Sequence, residues 1–247
     1  MKSIRVASTA KGIFSALLLT AVLCGLSQAT TKTFTNIDQS TTGWGSCTTC
    51  AGGKHNADVY WMAQFQTSPS KDGSSTKFHI EASKSYSNAL FWNKLGAQDY
   101  ATHYTWDFWI YLSSDSTSAQ TLEYDMFQDV GGREYMFGSQ CNYAAGYWDV
   151  WNQSTKHWIQ TSLKCTKFSV STWHHIVWNY HRTTSDNKMH FDSLTLDGVL
   201  HNINMTEPSG TLPKGWADGL GVQWQLDTGS SALTFGENID EVKLTIW

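Results

Sequence analysis

The stretch Tyr104-Thr-Trp-Asp-Phe-Trp-Ile-Tyr-Leu112 places Tyr104, Trp106, Phe108, Ile110 and Leu112 at every second position. Successive side chains of a strand point to opposite faces, so this period of two predicts a strand with one buried side. The pattern recurs where Leu122, Tyr124 and Met126 alternate with Glu123, Asp125 and Phe127, and where Val222, Trp224 and Leu226 alternate with Gln223, Gln225 and Asp227. Further strands are expected at 77–82, 147–152, 173–182, 190–196 and 241–247. Turn-forming clusters separate them, among them Ser68-Pro-Ser-Lys-Asp-Gly-Ser-Ser75, Ser113-Ser-Asp-Ser-Thr-Ser118 and Thr183-Thr-Ser-Asp-Asn187. No stretch beyond residue 29 keeps a helical period. Many strands, many turns and no helices predict an all-β sandwich or barrel.

The first residues carry Lys2, Arg5 and Lys11, then an apolar run from Ile13 to Leu26, then Ser27-Gln28-Ala29. A basic start, a short apolar stretch and a small-x-small site are the marks of a secretory signal peptide. The run falls short of the roughly 20 residues that a spanning helix needs. The expected organisation is therefore a signal peptide at 1–29 and one domain at 30–247, with the product secreted, extracellular or periplasmic. Loss of 1–29, which hold three basic residues and no acidic one, takes the formal net charge from −4 to −7. Nucleic acid and anionic membranes select basic surfaces and are not expected partners. A monomer is expected.

Cys47, Cys50, Cys141 and Cys165 remain after cleavage, an even number in an exported chain, so disulfides are expected. Four cysteines allow three pairings. Cys47–Cys50 with Cys141–Cys165 is preferred because each closes a local loop. His174, His175 and His181 have no carboxylate or third histidine at zinc-ligand spacing, so no metal ligand is assigned. A structural calcium is the one cofactor left open, because oxygen-rich loops and Asp240 could coordinate a hard cation.

Thirteen Trp, ten Tyr and eleven Phe exceed what a core of this length ordinarily takes, so some are expected at a surface. Flat rings stack on the apolar faces of sugars while amides and carboxyls take the hydroxyls. The segment Leu122-Glu-Tyr-Asp-Met-Phe-Gln128 sets Glu123 and Asp125 on one strand face, where neighbouring carboxyls raise one another's affinity for a proton. This segment resembles the catalytic strand of laminarinase and lichenase type β-glucanases and of the cellobiohydrolases that share their fold. That pattern reads Glu-x-Asp-x-Glu or Glu-x-Asp-x-x-Glu. The resemblance implies Glu123 as nucleophile and Asp125 as its helper, with Gln128 where the longer pattern has its acid. Gln cannot protonate a leaving group, though it can hydrogen-bond a sugar hydroxyl. Asp129, brought round by a bulge, or Glu134 are the substitute acids.

Trp173-His-His-Ile-Val-Trp178, Leu194-Thr-Leu-Asp-Gly-Val199 and the closing Ile239-Asp-Glu-Val-Lys-Leu-Thr-Ile-Trp247 are similar to the order of strands in concanavalin A-like lectins and glucanases. Trp44-Gly-Ser-Cys-Thr-Thr-Cys-Ala51 and Phe137-Gly-Ser-Gln-Cys-Asn142 resemble secreted proteins of that kind without assigned activity. The resemblance implies a jelly-roll of two antiparallel sheets with a concave ligand face. Around the cleft we expect Arg133, Gln140, Asn142, Tyr147, Asp149, Trp151, Gln223 and Gln225. Tyr147, Asp149 and Trp151 share a face if Trp148 is core, and a one-residue slip would exchange the two sets. The leading functional expectation is a lectin-like protein that binds a polysaccharide or oligosaccharide. The second is a retaining hydrolase of a β-glucan type polymer, and the third a polysaccharide lyase in which Arg133 neutralises a substrate carboxylate.

Overall fold

A computed structural model describes residues 30–247. The expected signal peptide lies outside the described residues. In chain order the strands are β1 (Lys32–Phe34), β2 (Trp44–Cys47), β3 (His55–Asn56), β4 (Val59–Gln66), β5 (Ser75–Ala82), β6 (Ser87–Gly96) and β7 (His103–Leu112). There follow β8 (Ala119–Val130), β9 (Arg133–Asn142), β10 (Tyr147–Asn152), β11 (His157–Lys164) and β12 (Trp173–Thr183). The chain closes with β13 (Lys188–Leu196), β14 (Val199–Pro208), β15 (Gly210–Thr211), β16 (Gly219–Thr228) and β17 (Leu233–Ile246). Among the described residues two short 3-10 turns interrupt them, Ile37–Gln39 and Ser114–Ser118.

Two sheets form. One runs β14-β13-β12-β7-β17-β5-β4 with β1 beside β17. The other runs β11-β10-β9-β8-β16-β6-β2, with β15 added to β9 and β3 to β6. Strands distant in sequence are neighbours in both, so the sheets close through long connections as a jelly-roll does. The sandwich core follows the period of two. Tyr104, Trp106, Phe108, Ile110 and Leu112 of β7 meet Leu122, Tyr124, Met126 of β8 and Val222, Trp224, Leu226 of β16, all at 1% exposure or less. Trp224 packs edge-on against Phe108, with ring centroids 5.8 Å apart, a favoured aromatic geometry. Each such apolar side chain contributes about 1.5–3 kcal/mol by leaving water.

The aromatic surplus divides between core and surface. Trp106, Trp148, Trp178 and Trp224 are fully buried, while Trp151 and Trp158 open onto the outer face of the nine-stranded sheet. The burial of Trp148 settles the register of β10: Tyr147, Asp149 and Trp151 point outward together. Cys47 pairs with Cys50 and Cys141 with Cys165, at Cα separations of 5.9 and 5.6 Å. The second bond ties the end of β9 to the loop after β11. Among the described residues no helix is long and apolar enough to cross a membrane.

Candidate functional site

A groove of about 670 Å³ lies on the outer face of the nine-stranded sheet. Its floor is a grid produced by strand register. Asp125 of β8 stands opposite Gly138 of β9 on one side and Gln223 of β16 on the other. One row along, Glu123 stands between Gln140 and Gln225, and Gln140 in turn faces Asp149 of β10. In the next row Thr121 faces Asp227. Carboxyls and amides thus alternate across the sheet.

The amides hold the carboxyls in place. Gln223 Nε2 donates to Asp125 Oδ2 at 2.6 Å, and the Ser139 N–H donates to Asp125 Oδ1 at 3.1 Å. Gln225 Nε2 donates to Glu123 Oε2 at 2.9 Å and to both oxygens of Asp227 at 3.1 Å. Thr121 Oγ1 donates to Asp227 Oδ2. Gln140 Nε2 and Asn142 Nδ2 donate to Asp149 Oδ2 at 2.9 and 2.8 Å. Burial, and then the charges of Asp125 and Asp227, push the Glu123 carboxyl well above the usual range. Burial also raises Asp125 to about 7 and Asp227 to about 6, against the lowering effect of their amide donors. The three carboxyls lie close enough to titrate as one coupled set.

Trp151 and Trp158 form the wall beside this spot, edge to face with centroids 5.0 Å apart. Gly138 makes room for them. A Cβ there would stand 2.7 Å from Trp151 Cβ, 3.2 Å from Asp125 Oδ1 and 3.3 Å from Trp158 Cη2, closer than side chains tolerate. Trp151 Nε1 donates to Gln153, whose amide donates to Glu134. Lys156 lies 3.7 Å from Glu134. The opposite wall is the segment from Cys50 to Lys54 together with Tyr86, where the Cys47–Cys50 bond fixes the loop.

Of the expected residues, Glu123, Asp125, Gln140, Asn142, Trp151, Gln223 and Gln225 meet in the groove. Asp149 lies beneath Gln140 and Asn142, and Tyr147 shares its face with Lys164 Nζ 3.5 Å over the ring. Two expectations are corrected. Gln128 does not reach the groove: β8 pairs with β9 without a bulge, so its side chain points between the sheets. There its oxygen accepts from the Tyr104 hydroxyl, and its amide donates to Gln98 O at 2.8 Å and Ala101 O at 3.3 Å. Phe127 takes the outward position and covers Gly221, where an added Cβ would meet the ring at 2.4 Å. Arg133 is exposed at the β8–β9 hairpin, paired through β15 with Thr211 and outside the groove.

Of the two substitute acids Glu134 lines the groove and Asp129 does not, but both lie far from Glu123 along the strands. Asp129 and Glu134 face one another, both six positions along their strands from Glu123 and its partner Gln140. At the rise of a strand that is roughly 20 Å, against about 5–9.5 Å between the two carboxyls of a glycosidase. Burial and the neighbouring Glu134 raise Asp129 to about 7. Asp227, Gln153, Lys156 and Trp158 were not among the expected site residues. Asp227 carried a usable signal, since it continues the polar face of Gln223 and Gln225.

Asp240 lies on the other sheet, away from the groove. Its carboxylate accepts from Ser70 Oγ, Lys71 N and Glu241 N. Nearby Asp38 accepts from Val242 N, and its Oδ2 is buried without a partner, with burial raising the carboxyl to about 7. Calcium takes six to eight oxygen ligands, whereas donors already occupy both Asp240 oxygens and no group of three or more His, Cys, Asp or Glu among the described residues is placed to hold a metal, so this pair does not fit the calcium left open by the sequence.

No protein-family model matches the sequence, and no curated protein matches it. Solved structures match by shape. Peanut lectin is 8% identical with a TM-score of 0.50, over 89% of this chain and 98% of that one. Arcelin-5, a lectin-like defence protein from Phaseolus vulgaris, is 10% identical with a TM-score of 0.47, over 89% and 99%. The PL-14 alginate lyase of Aplysia kurodai is 9% identical with a TM-score of 0.49, over 75% and 88%. At such identities the likeness is one of fold alone: the chain is a jelly-roll sandwich of two antiparallel sheets.

Proposed function

We propose that the protein is an exported, monomeric, lectin-like sandwich that binds a polysaccharide or oligosaccharide along the groove of its nine-stranded sheet. The observation that carries this reading is the Trp151 and Trp158 pair standing directly beside the Asp125, Gln140, Gln223 and Gln225 floor. Rings of this kind take the apolar face of a sugar, and the polar floor takes its hydroxyls. The signal pattern at 1–29 and the two disulfides support export.

A hydrolytic reading draws on one feature, the raised proton affinity of Glu123, which is buried beside Asp125 and Asp227. It makes Glu123 an acid rather than a nucleophile, and its second carboxyl has to be one already in contact with it. A lyase reading loses Arg133, and among the described residues no arginine lines the groove. A glycan array followed by a reducing-sugar assay on each hit separates these readings. Binding without product is expected, with affinity falling about tenfold or more in Trp151→Ala or Trp158→Ala. Product release that disappears in Glu123→Gln would establish hydrolysis instead. No binding to any glycan would refute the proposal.

A further inference from the structure

The floor amides all face the same way. Gln140, Gln223 and Gln225 each turn Nε2 onto a carboxylate, because a carboxylate can only accept, and this leaves Oε1 toward the groove. Among the described residues no donor reaches any of these three oxygens. Gln140 and Gln225 are 4% and 8% exposed, and their remaining surface opens into the groove. These oxygens open to the groove with their acceptor capacity free for a donor on the ligand.

Charge points the same way. Glu123, Asp125 and Asp227 lie in contact with only amides, a hydroxyl, a backbone N–H and one another. Of the lysines that line the groove, Lys156 is engaged with Glu134, and Lys54 stands exposed on the far wall. Buried carboxyls either take up protons or pair with a cation, and among the described residues no lysine, arginine or histidine forms an ion pair with these three. A sugar hydroxyl could donate to the amide oxygens, but only a protonated amine brings both the donors and the missing charge.

Resting on the carbohydrate-binding reading, we infer that the ligand is an amino-sugar polymer with free, protonated amines. Its ammonium groups lie over Glu123, Asp125 and Asp227, and its rings lie against Trp151 and Trp158. The neutral polymer of the same linkage loses the charged hydrogen bonds, and the N-acetylated one also brings bulk to the floor.

The test compares three oligomers of equal length and linkage on the full mature chain by titration calorimetry in low-salt buffer at about pH 7, where the floor carboxyls begin to ionise and part of the amines stay protonated. These are the glucosamine oligomer, its N-acetylated form and the glucose oligomer. The glucosamine oligomer is expected to bind about tenfold tighter than the glucose oligomer, the difference between charged and neutral hydrogen bonds. That ratio is expected to shrink as salt is added. It should fall toward one in an Asp125→Asn/Asp227→Asn variant, whatever the absolute affinities. Equal or weaker binding of the glucosamine oligomer would overturn the inference while leaving the carbohydrate reading intact. So would calcium chloride alone binding at the floor and erasing the preference, which would make the site a metal site. Failure of all three oligomers, together with an empty glycan array, would remove the carbohydrate reading itself.

Discussion

Glu237→Gln should abolish most of one pH-dependent component of the protein's stability. Glu237 lies on β17 opposite Phe78 and Leu112, faces the core at 1% exposure, and leaves Oε1 without a partner. Burial alone raises its carboxyl from 4.5 to about 8. Between these values the folded protein keeps a proton that the unfolded chain releases. The contribution is therefore complete below 4.5, declines as pH rises, and is gone above about 8. Each pH unit of separation is worth about 1.36 kcal/mol, so the whole window amounts to at most about 5 kcal/mol. The Gln variant has no proton to lose. Urea unfolding of both proteins across the window should give nearly equal stabilities at its acid end, within about 1 kcal/mol. At its alkaline end the variant should be several kcal/mol the more stable. Asp38, Asp125, Asp129, Asp227 and Glu123 are raised too and act in the same direction. They are common to both proteins and cancel in the difference. Stability curves that run parallel across the window would refute the assignment of a neutral Glu237 in the core.

Two further outcomes follow from the core and the cross-links. Gln128→Glu replaces an amide that donates to Gln98 O and Ala101 O, and should cost about 1–3 kcal/mol in urea unfolding without creating glycanase activity. Reducing sugar released by that variant would show that residue 128 reaches the groove after all. Cys141→Ser/Cys165→Ser opens a loop with a sequence separation of 24 and should lower stability by roughly 3–4 kcal/mol, read as a lower urea midpoint. An unchanged midpoint would mean that the segment after β11 is held by packing alone.

What the sequence determined by itself was which side chains share a face. Alternation is local, set by backbone geometry at each residue, so Glu123 with Asp125, and Gln223 with Gln225 and Asp227, were legible without knowing any strand's neighbour. The tertiary structure decided what lies across from them. Pairing of β8 with β16 joins residues about a hundred positions apart, and this sets Gln225 against Glu123 and brings Asp227 to the carboxyl pair. The same applies to Gln128. A bulge in β8 would have turned it outward, and only the unbroken register of β8 with β9 sends it into the core. Trp148 shows the limit from the other side: its strand alternates cleanly, but packing against Trp178 and Phe168 decides which half of the pattern is inside. Faces are fixed by the chain's own stereochemistry, whereas register and neighbours are fixed by the energy of burying both sheets at once.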